Sequence, residues 1–519
     1  MEYDKKCFKV YRQGKDLEDQ FYLDEDFNVP DMKRDVQKII LSEGKVQIED
    51  MKRVENYIRV SGSVLFKVLY VTDEGETKIT SLDGKIPFEE MVYTDEEPLE
   101  NIFVKCTNVE LTVNVIHSRK LNIKAVVDMK ISSDGQTEAD VLTDLSDSMS
   151  LYKRYEEYPV LRLCTIKKDT YRIKEEISIS GTKETVGALL WNDVINRKLD
   201  TRIGTDEIIL HGELLFFGFY ESMDGKMDWI EQTIPYQGRI NCYGVQDLMY
   251  HQIYPELRDI SIDVRMDEDG EMRVLGVEAT LEIRVIIYEE EKMKILDDMY
   301  SLEKICGMNR TQKDFEKLLM QNHLKCKIVE RLSLPEIKDN ILQICHSSAR
   351  IQMENISIAE NGLLVEGILH VNFMYVKPDD VIPFDVWQGM IPFSYLLESN
   401  ETNENMTYDL SGTVEQLSIG LLGSDEIEVK AVLAIRSFLK SPIEVLDITN
   451  ISYEEMDVKE KENAPGIIGY IVKDGDELWD LAKKYNTTIE SIMEVNNLEH
   501  RELKKGQKML IFKENMSIL

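Results

Sequence analysis

Three stretches decide how this chain folds: GSVLFKVLY at 62–70, GELLFFGFY at 212–220 and GILHVNFMY at 367–375. Each opens on Gly, closes on Tyr and carries Val, Leu and Phe between them, which is strand chemistry. They recur with a period near 150 residues. IPF at 86–88, IPY at 234–236 and IPF at 391–393 follow the glycines after 24, 22 and 24 residues. IKAVVDMKI at 123–131, VEATLEIRV at 277–285 and VKAVLAIRS at 429–437 then place Ala125, Ala279 and Ala431 five residues before Lys130, Arg284 and Arg436. Order and spacing agree in all three copies, so three homologous repeats are expected.

Turn residues divide each repeat into hairpins. Asp73-Glu74-Gly75, Met223-Asp224-Gly225 and Lys377-Pro378-Asp379 follow the first landmark, which therefore opens a hairpin. Ser118-Arg119-Lys120, Asp267-Glu268-Asp269-Gly270 and Gly423-Ser424-Asp425 precede the third landmark, which closes another. The fold class is multidomain, with three β-rich α+β repeats of at least four antiparallel strands each. Pro at the head of PDMKRDVQKIILSE (30–43) and PEIKDNILQICHSS (335–348) predicts a short helix in those segments. Gly62, Gly212 and Gly367 are read as bulges or points of close backbone approach, and the IPF and IPY prolines as strand ends or edges. Tyr70, Tyr220 and Tyr375 are expected to be half-buried with their hydroxyls at the surface.

Composition narrows the function classes. The 519 residues are 43% hydrophobic, and 62 Lys+Arg against 97 Asp+Glu give a net charge of −35. A surface of that sign repels nucleic-acid phosphates and anionic membranes, so neither is an expected partner. The N-terminus lacks an apolar core for a secretion signal, and no apolar run approaches the ~18 residues of a spanning helix. Seven cysteines, odd in number and without a CxxC pair, read as reduced thiols of a cytoplasmic protein.

No GxxxxGK[ST], GxSxG, HExxH or GxGxxG falls at a strand–helix junction where its chemistry would work. The seven histidines are scattered, and Glu289-Glu290-Glu291 follows a strand without the Asp/Asn/Gly pattern of a calcium loop. No catalytic residue, cofactor or metal ligand is assigned, and the chain is read as non-enzymatic.

The repeats are taken as 1–150, 151–306 and 307–451. SYEEMDVKEKENAPG at 452–466 reads as a charged, flexible linker, so that removal of 466–519 would leave the repeats folded. In 467–513 a strand around Tyr470 and Val472 leads through an Asp474-Gly475-Asp476 turn to a helix with Leu478, Leu481, Ala482 and Tyr485 on one face. Thr488 caps a second helix bearing Ile489, Ile492, Met493 and Asn496, and the Gly506-Gln507 turn leads into a strand from Met509 to Phe512.

The order Tyr470, Val472, Gly475, Asp476, Leu478, Trp479, Ala482, Tyr485, Ile492, Asn496, Leu498, Leu503, Gly506, Gln507, Leu510 and Ile511 resembles the LysM domain over under a tenth of the chain. Phe512 departs from it, since that family commonly ends in Pro. The resemblance implies a βααβ fold and a glycan groove bordered by Asp474, Gly475, Asp476 and Glu477 on one side and by Asn496, Asn497 and Leu498 on the other. Trp479 follows Leu478 directly and so points about 100° away from the core stripe. It is expected at the margin of the module, as a contact residue beside that groove.

Three β-rich repeats joined to a LysM domain resemble the spore-coat-associated repeat proteins of endospore-forming Firmicutes, above all the clostridial coat morphogenetic type. The coat-encasement proteins of Bacillus are similar. The resemblance implies a mother-cell scaffold at the forespore surface that binds the coat ATPase, stage IV sporulation protein A, through its LysM domain. Other coat proteins are further partners. Residues 466–519 hold eight Lys/Arg against nine Asp/Glu, so this near-neutral tail is read as the contact surface of a very acidic chain. The alternative is an anchor that binds peptidoglycan of cortex or wall.

Overall fold

The computed structural model describes residues 2–73, 78–379, 382–423, 425–455 and 466–513. In the first repeat β1 (Glu2–Gln13) and β2 (Leu17–Asn28) lead to β3 (Lys38–Val54), β4 (Tyr57–Val71), β5 (Ile79–Tyr93), β6 (Asn101–His117) and β7 (Lys120–Ser146). The second runs β8 (Tyr152–Ser178), β9 (Val186–Gly204), β10 (Glu207–Ser222), β11 (Met227–Asn241), β12 (Tyr250–Met266) and β13 (Met272–Tyr300). The third runs β14 (Lys304–Ser333), β15 (Gln343–Ala359), β16 (Gly362–Val376), β17 (Phe384–Glu398), β18 (Thr407–Leu421) and β19 (Glu426–Glu455).

Each repeat is a pair of antiparallel sheets. One is a meander with the glycine-to-tyrosine strand at its centre: β3-β4-β5, β9-β10-β11 and β15-β16-β17. The other is centred on the strand of the third landmark: β6-β7 with β1 and β2, β12-β13-β8 and β18-β19-β14. The conserved spacing between glycine and aromatic residue is a register rule. Gly62 faces Phe88, Gly212 faces Tyr236 and Gly367 faces Phe393 across the ladder. A Cβ on Gly212 would lie 2.1 Å from the Tyr236 ring, and one on Gly62 or Gly367 would meet a neighbouring backbone carbonyl at 2.3 Å. Ladder irregularities fall beside these glycines, and the prolines lie on the outer strands β5, β11 and β17.

The central strands are apolar on both faces because both are covered. Along β10, Leu214, Phe216 and Tyr220 enter the core between the two sheets of their own repeat. Phe217 and Phe219 point the other way, into a core shared by all three repeats with Leu69, Ile79, Leu190, Trp191, Met374 and Phe384. A second shared core joins the far ends of the long strands: Phe8, Val10 and Val141 pack with Val160, Met293, Ile295, Phe315 and Val445. The long ribbons β8–β13 and β14–β19 thus serve their own repeat at one end and the junction at the other.

Two of the three repeat cations lock neighbours together. Arg284 pairs with Asp134 of the preceding repeat, which is fully buried and also accepts Tyr11 Oη at 2.9 Å and Asn101 Nδ2 at 3.1 Å. Arg436 donates to the backbone carbonyl of Leu199 in the preceding repeat. Lys130 pairs within its own repeat, with Asp16 at 2.8 Å.

Several expectations are corrected. Residues 30–43 are not helical: a turn closes from Lys33 N to Pro30 O at 2.8 Å, and β3 starts at Lys38. Ile39 turns to its own repeat's core and Ile40 to the shared one, alternation that a strand supplies. In 335–348 only a 3-10 turn, Pro335–Ile337, forms before β15. Tyr70 and Tyr220 are fully buried and Tyr375 nearly so, rather than half-buried. The Tyr70 hydroxyl donates to Arg34 O at 2.9 Å and that of Tyr220 to Glu184 O at 3.0 Å, pinning the turn that leads into each meander. Finally, β19 runs to Glu455, into the stretch expected as a linker, whose residues 456–465 lie outside the described residues.

Candidate functional site

The tail folds as β20 (Ile467–Ile471), α1 (Leu478–Lys484), α2 (Ile489–Val495) and β21 (Lys508–Phe512), with β20 and β21 antiparallel. Leu478, Leu481, Ala482 and Ile492 are buried with Val472, Met509 and Ile511. Thr488 caps α2 by accepting from Ser491 N at 3.0 Å. Gly475 sits at φ +83°, the left-handed conformation that the turn before α1 requires.

Asp476 shapes that turn: its carboxylate accepts the Tyr470 hydroxyl at 2.8 Å and Lys473 N at 2.7 Å. These donors hold its carboxyl below the usual range, the Lys473 amide first and the Tyr470 hydroxyl second. Asn496 is equally structural. Its amide donates to Leu510 O at 2.7 Å and accepts Leu510 N at 2.7 Å, tying the end of α2 to β21. Leu498 packs into the module's core. Asp474, Gly475, Glu477 and Asn497 are the solvent-exposed members of the candidate set.

Trp479 is the correction here. It does lie off the centre of the helix stripe, but it is only 9% exposed because the second repeat covers it. Its indole Nε1 donates to Asp298 Oδ2 on β13 at 2.7 Å, and its ring meets Tyr300 edge-on at a centroid distance of 5.0 Å. Lys483 Nζ reaches the other oxygen of Asp298 at 2.6 Å, and the Tyr300 hydroxyl donates to Thr487 O at 3.0 Å. Burial alone would raise the Asp298 carboxyl; Lys483 and Trp479 together hold it below the usual range. Arg154 on β8 lies over the indole and pairs with Asp297 at 2.8 Å and Glu477 at 3.4 Å. The face expected to be free for a partner is therefore the face on which the module is seated, and the tail does not hang free of the repeats. Nothing local to Asp298, Tyr300 or Arg154 in the sequence signals this seat, because it joins segments some 180 residues apart or more.

The SipL SPOCS domain family matches residues 35–118, 185–265 and 340–422, and the LysM domain family matches residues 470–512. The chain carries three SipL SPOCS domains and a C-terminal LysM domain. That content makes it a sporulation protein associated with the coat, equipped with a module of the peptidoglycan-binding class. No curated protein and no solved structure matches it. The SPOCS matches span β3 to β6, β9 to β12 and β15 to β18, whereas the long strands that build the junction lie outside them. Both families consist of binding and scaffold domains, and among the described residues no helix is long and apolar enough to cross a membrane.

Proposed function

We propose that the chain is a non-enzymatic scaffold of spore coat morphogenesis, made in the mother cell, that binds the coat ATPase, stage IV sporulation protein A, and localises coat at the forespore surface. The observation that carries this reading is the seating of the LysM domain. A module built to hold glycan in a free groove has one helix committed to a protein surface through Trp479, Asp298 and Tyr300. That contact fixes the module's orientation on the second repeat, and a fixed orientation is what an assembly scaffold needs in order to present one face to a partner. The presented face holds the exposed Asp474, Gly475 and Asn497.

Peptidoglycan binding is the second reading, because those same loop residues are open to solvent in a LysM domain. The two separate in one experiment on the intact chain, by measuring its affinity for purified ATPase and for a chito-oligosaccharide. The scaffold reading expects saturable ATPase binding and none to the sugar. Sugar binding without ATPase binding would replace it with the anchor.

A further inference from the structure

We propose that Asp200, His323 and Glu415 form a divalent-metal site of the zinc class that clamps the second SPOCS domain to the third. Asp200 lies on β9 of the second repeat, His323 on β14 and Glu415 on β18 of the third, and one ligand atom from each lies within 4.8 Å of the others.

Glu415 gives the cluster its meaning. It is the extra residue of a bulge, since Val414 pairs with Leu433 and Gln416 with Val432, and a bulge re-aims a side chain. Its side chain is only 5% exposed. Lys325 Nζ meets Oε2 at 2.6 Å, while Oε1 is buried with no hydrogen-bond donor. A buried carboxylate oxygen left without a donor is costly, and a cation is the partner it lacks. Asp200 is divided in the same way: Oδ2 meets Lys198 at 3.2 Å, and Oδ1 faces His323 Nδ1 at 3.8 Å. A neutral imidazole has a nitrogen lone pair to offer a metal, and His323 supplies the ring here.

One imidazole nitrogen with two carboxylate oxygens suits zinc or a similar first-row ion and leaves a further position for water. Tetrahedral zinc would bring its ligand atoms to ~3.3 Å apart, so the side chains have to draw inward by up to ~1.5 Å. His323, one-third exposed, has room to do so. The opposing charges are Lys198, Lys325 and Arg436. Lys325 is 53% exposed and free to swing into solvent as the ion enters. Among the described residues the arrangement occurs at one junction only. His323 stands opposite Arg436, and the residue opposite Arg284 in the second repeat is Lys168, which as an ammonium has no lone pair to give.

The test uses the full chain, stripped with EDTA and titrated with Zn²⁺ by calorimetry and with Co²⁺ by visible absorption. We expect one site per chain, weakened at least tenfold by H323A and by E415Q and tightened by K325M, with the Co²⁺ bands of imidazole ligation lost in H323A. His323 is partly exposed, so H323A tests the site without threatening the fold. Equal Zn²⁺ affinity in wild type, H323A and E415Q would mean binding by the acidic surface at large and would overturn the proposal, as would the absence of stoichiometric uptake by wild type.

Discussion

The indole N–H of Trp479 and the carboxylate of Asp298 meet at 2.7 Å, and that bond joins the LysM domain to the long strand β13 of the second repeat. Lys483 holds the other oxygen at 2.6 Å, so unseating the module takes both of these donors away and leaves the carboxylate with the Met299 amide and with Arg310 at 3.8 Å. Trp479→Ala removes the ring and one donor together and should cost about 3–5 kcal/mol, as core Trp truncations do. Trp479→Phe keeps most of the packing and should cost about 1.5–3 kcal/mol, the loss of one bond to a charged group. Hydrogen exchange should rise at both α1 and the end of β13 in Trp479→Ala. Exchange confined to α1 would mean that the two domains are not coupled.

Gly212 makes a second test. A methyl group there would lie 2.1 Å from the Tyr236 ring, whereas Gly420 on β18 has nothing within 4 Å of the same added carbon. Gly212→Ala should destabilise by about 1–3 kcal/mol through overpacking. Gly420→Ala should be neutral or stabilising by about 0.4–1 kcal/mol through the unfolded chain. The denaturant midpoint should fall in Gly212→Ala and hold level or rise in Gly420→Ala.

The junction between the first two repeats rests on a charge that has no access to water. Asp134 is 0% exposed, and Arg284→Met leaves it without its cation. The cost should be about 3–5 kcal/mol, and Asp134→Asn added to Arg284→Met should recover most of it, since a neutral amide can still accept from Tyr11. A double variant no more stable than Arg284→Met alone would show that the ion pair's geometry, rather than compensation of the charge, is what matters.

His346 gives a pH dependence with a defined sign. Its side chain is 7% exposed and stacks on Phe217; Nδ1 lies 2.7 Å from Glu231 and Nε2 3.5 Å from Asp193, both of the second repeat. Burial pulls the imidazole down, but Asp193 and Glu231 together carry it above its ordinary range. A group raised on folding contributes stability that is fully present below its unfolded pKa, ~6.5, and is lost as pH rises through the folded value. The stability advantage of wild type over His346→Gln should therefore be larger at pH 6 than at pH 9. An advantage that grows towards pH 9 would reverse the assignment.

What the sequence made legible was local. The paired glycine and aromatic landmarks specify a cross-strand register, and the turn residues mark the hairpins, because both signals lie within a few tens of residues. The helix expected over 30–43 failed because Pro30 and mixed apolar spacing fit a turn entering a strand as well as a helix start, and burial on two faces decided for the strand. The long ribbons were not legible: Lys304 pairs with Glu455, and nothing in either segment names the other. Trp479 shows the same division. Its departure from the helix stripe was readable from the helix period, while the Tyr300 and Asp298 that cover it lie in another domain.

The central claim is that the seated LysM domain presents its loop face to a protein partner. The most direct measurement is the affinity of the intact chain for the coat ATPase, with Asp474→Arg and Asn497→Lys combined on that face. Both side chains are exposed, so the double variant should keep the wild-type fold by circular dichroism. ATPase affinity should fall at least tenfold, as a reversed and an added charge at the contact would give. Unchanged ATPase affinity together with lost peptidoglycan binding would contradict it.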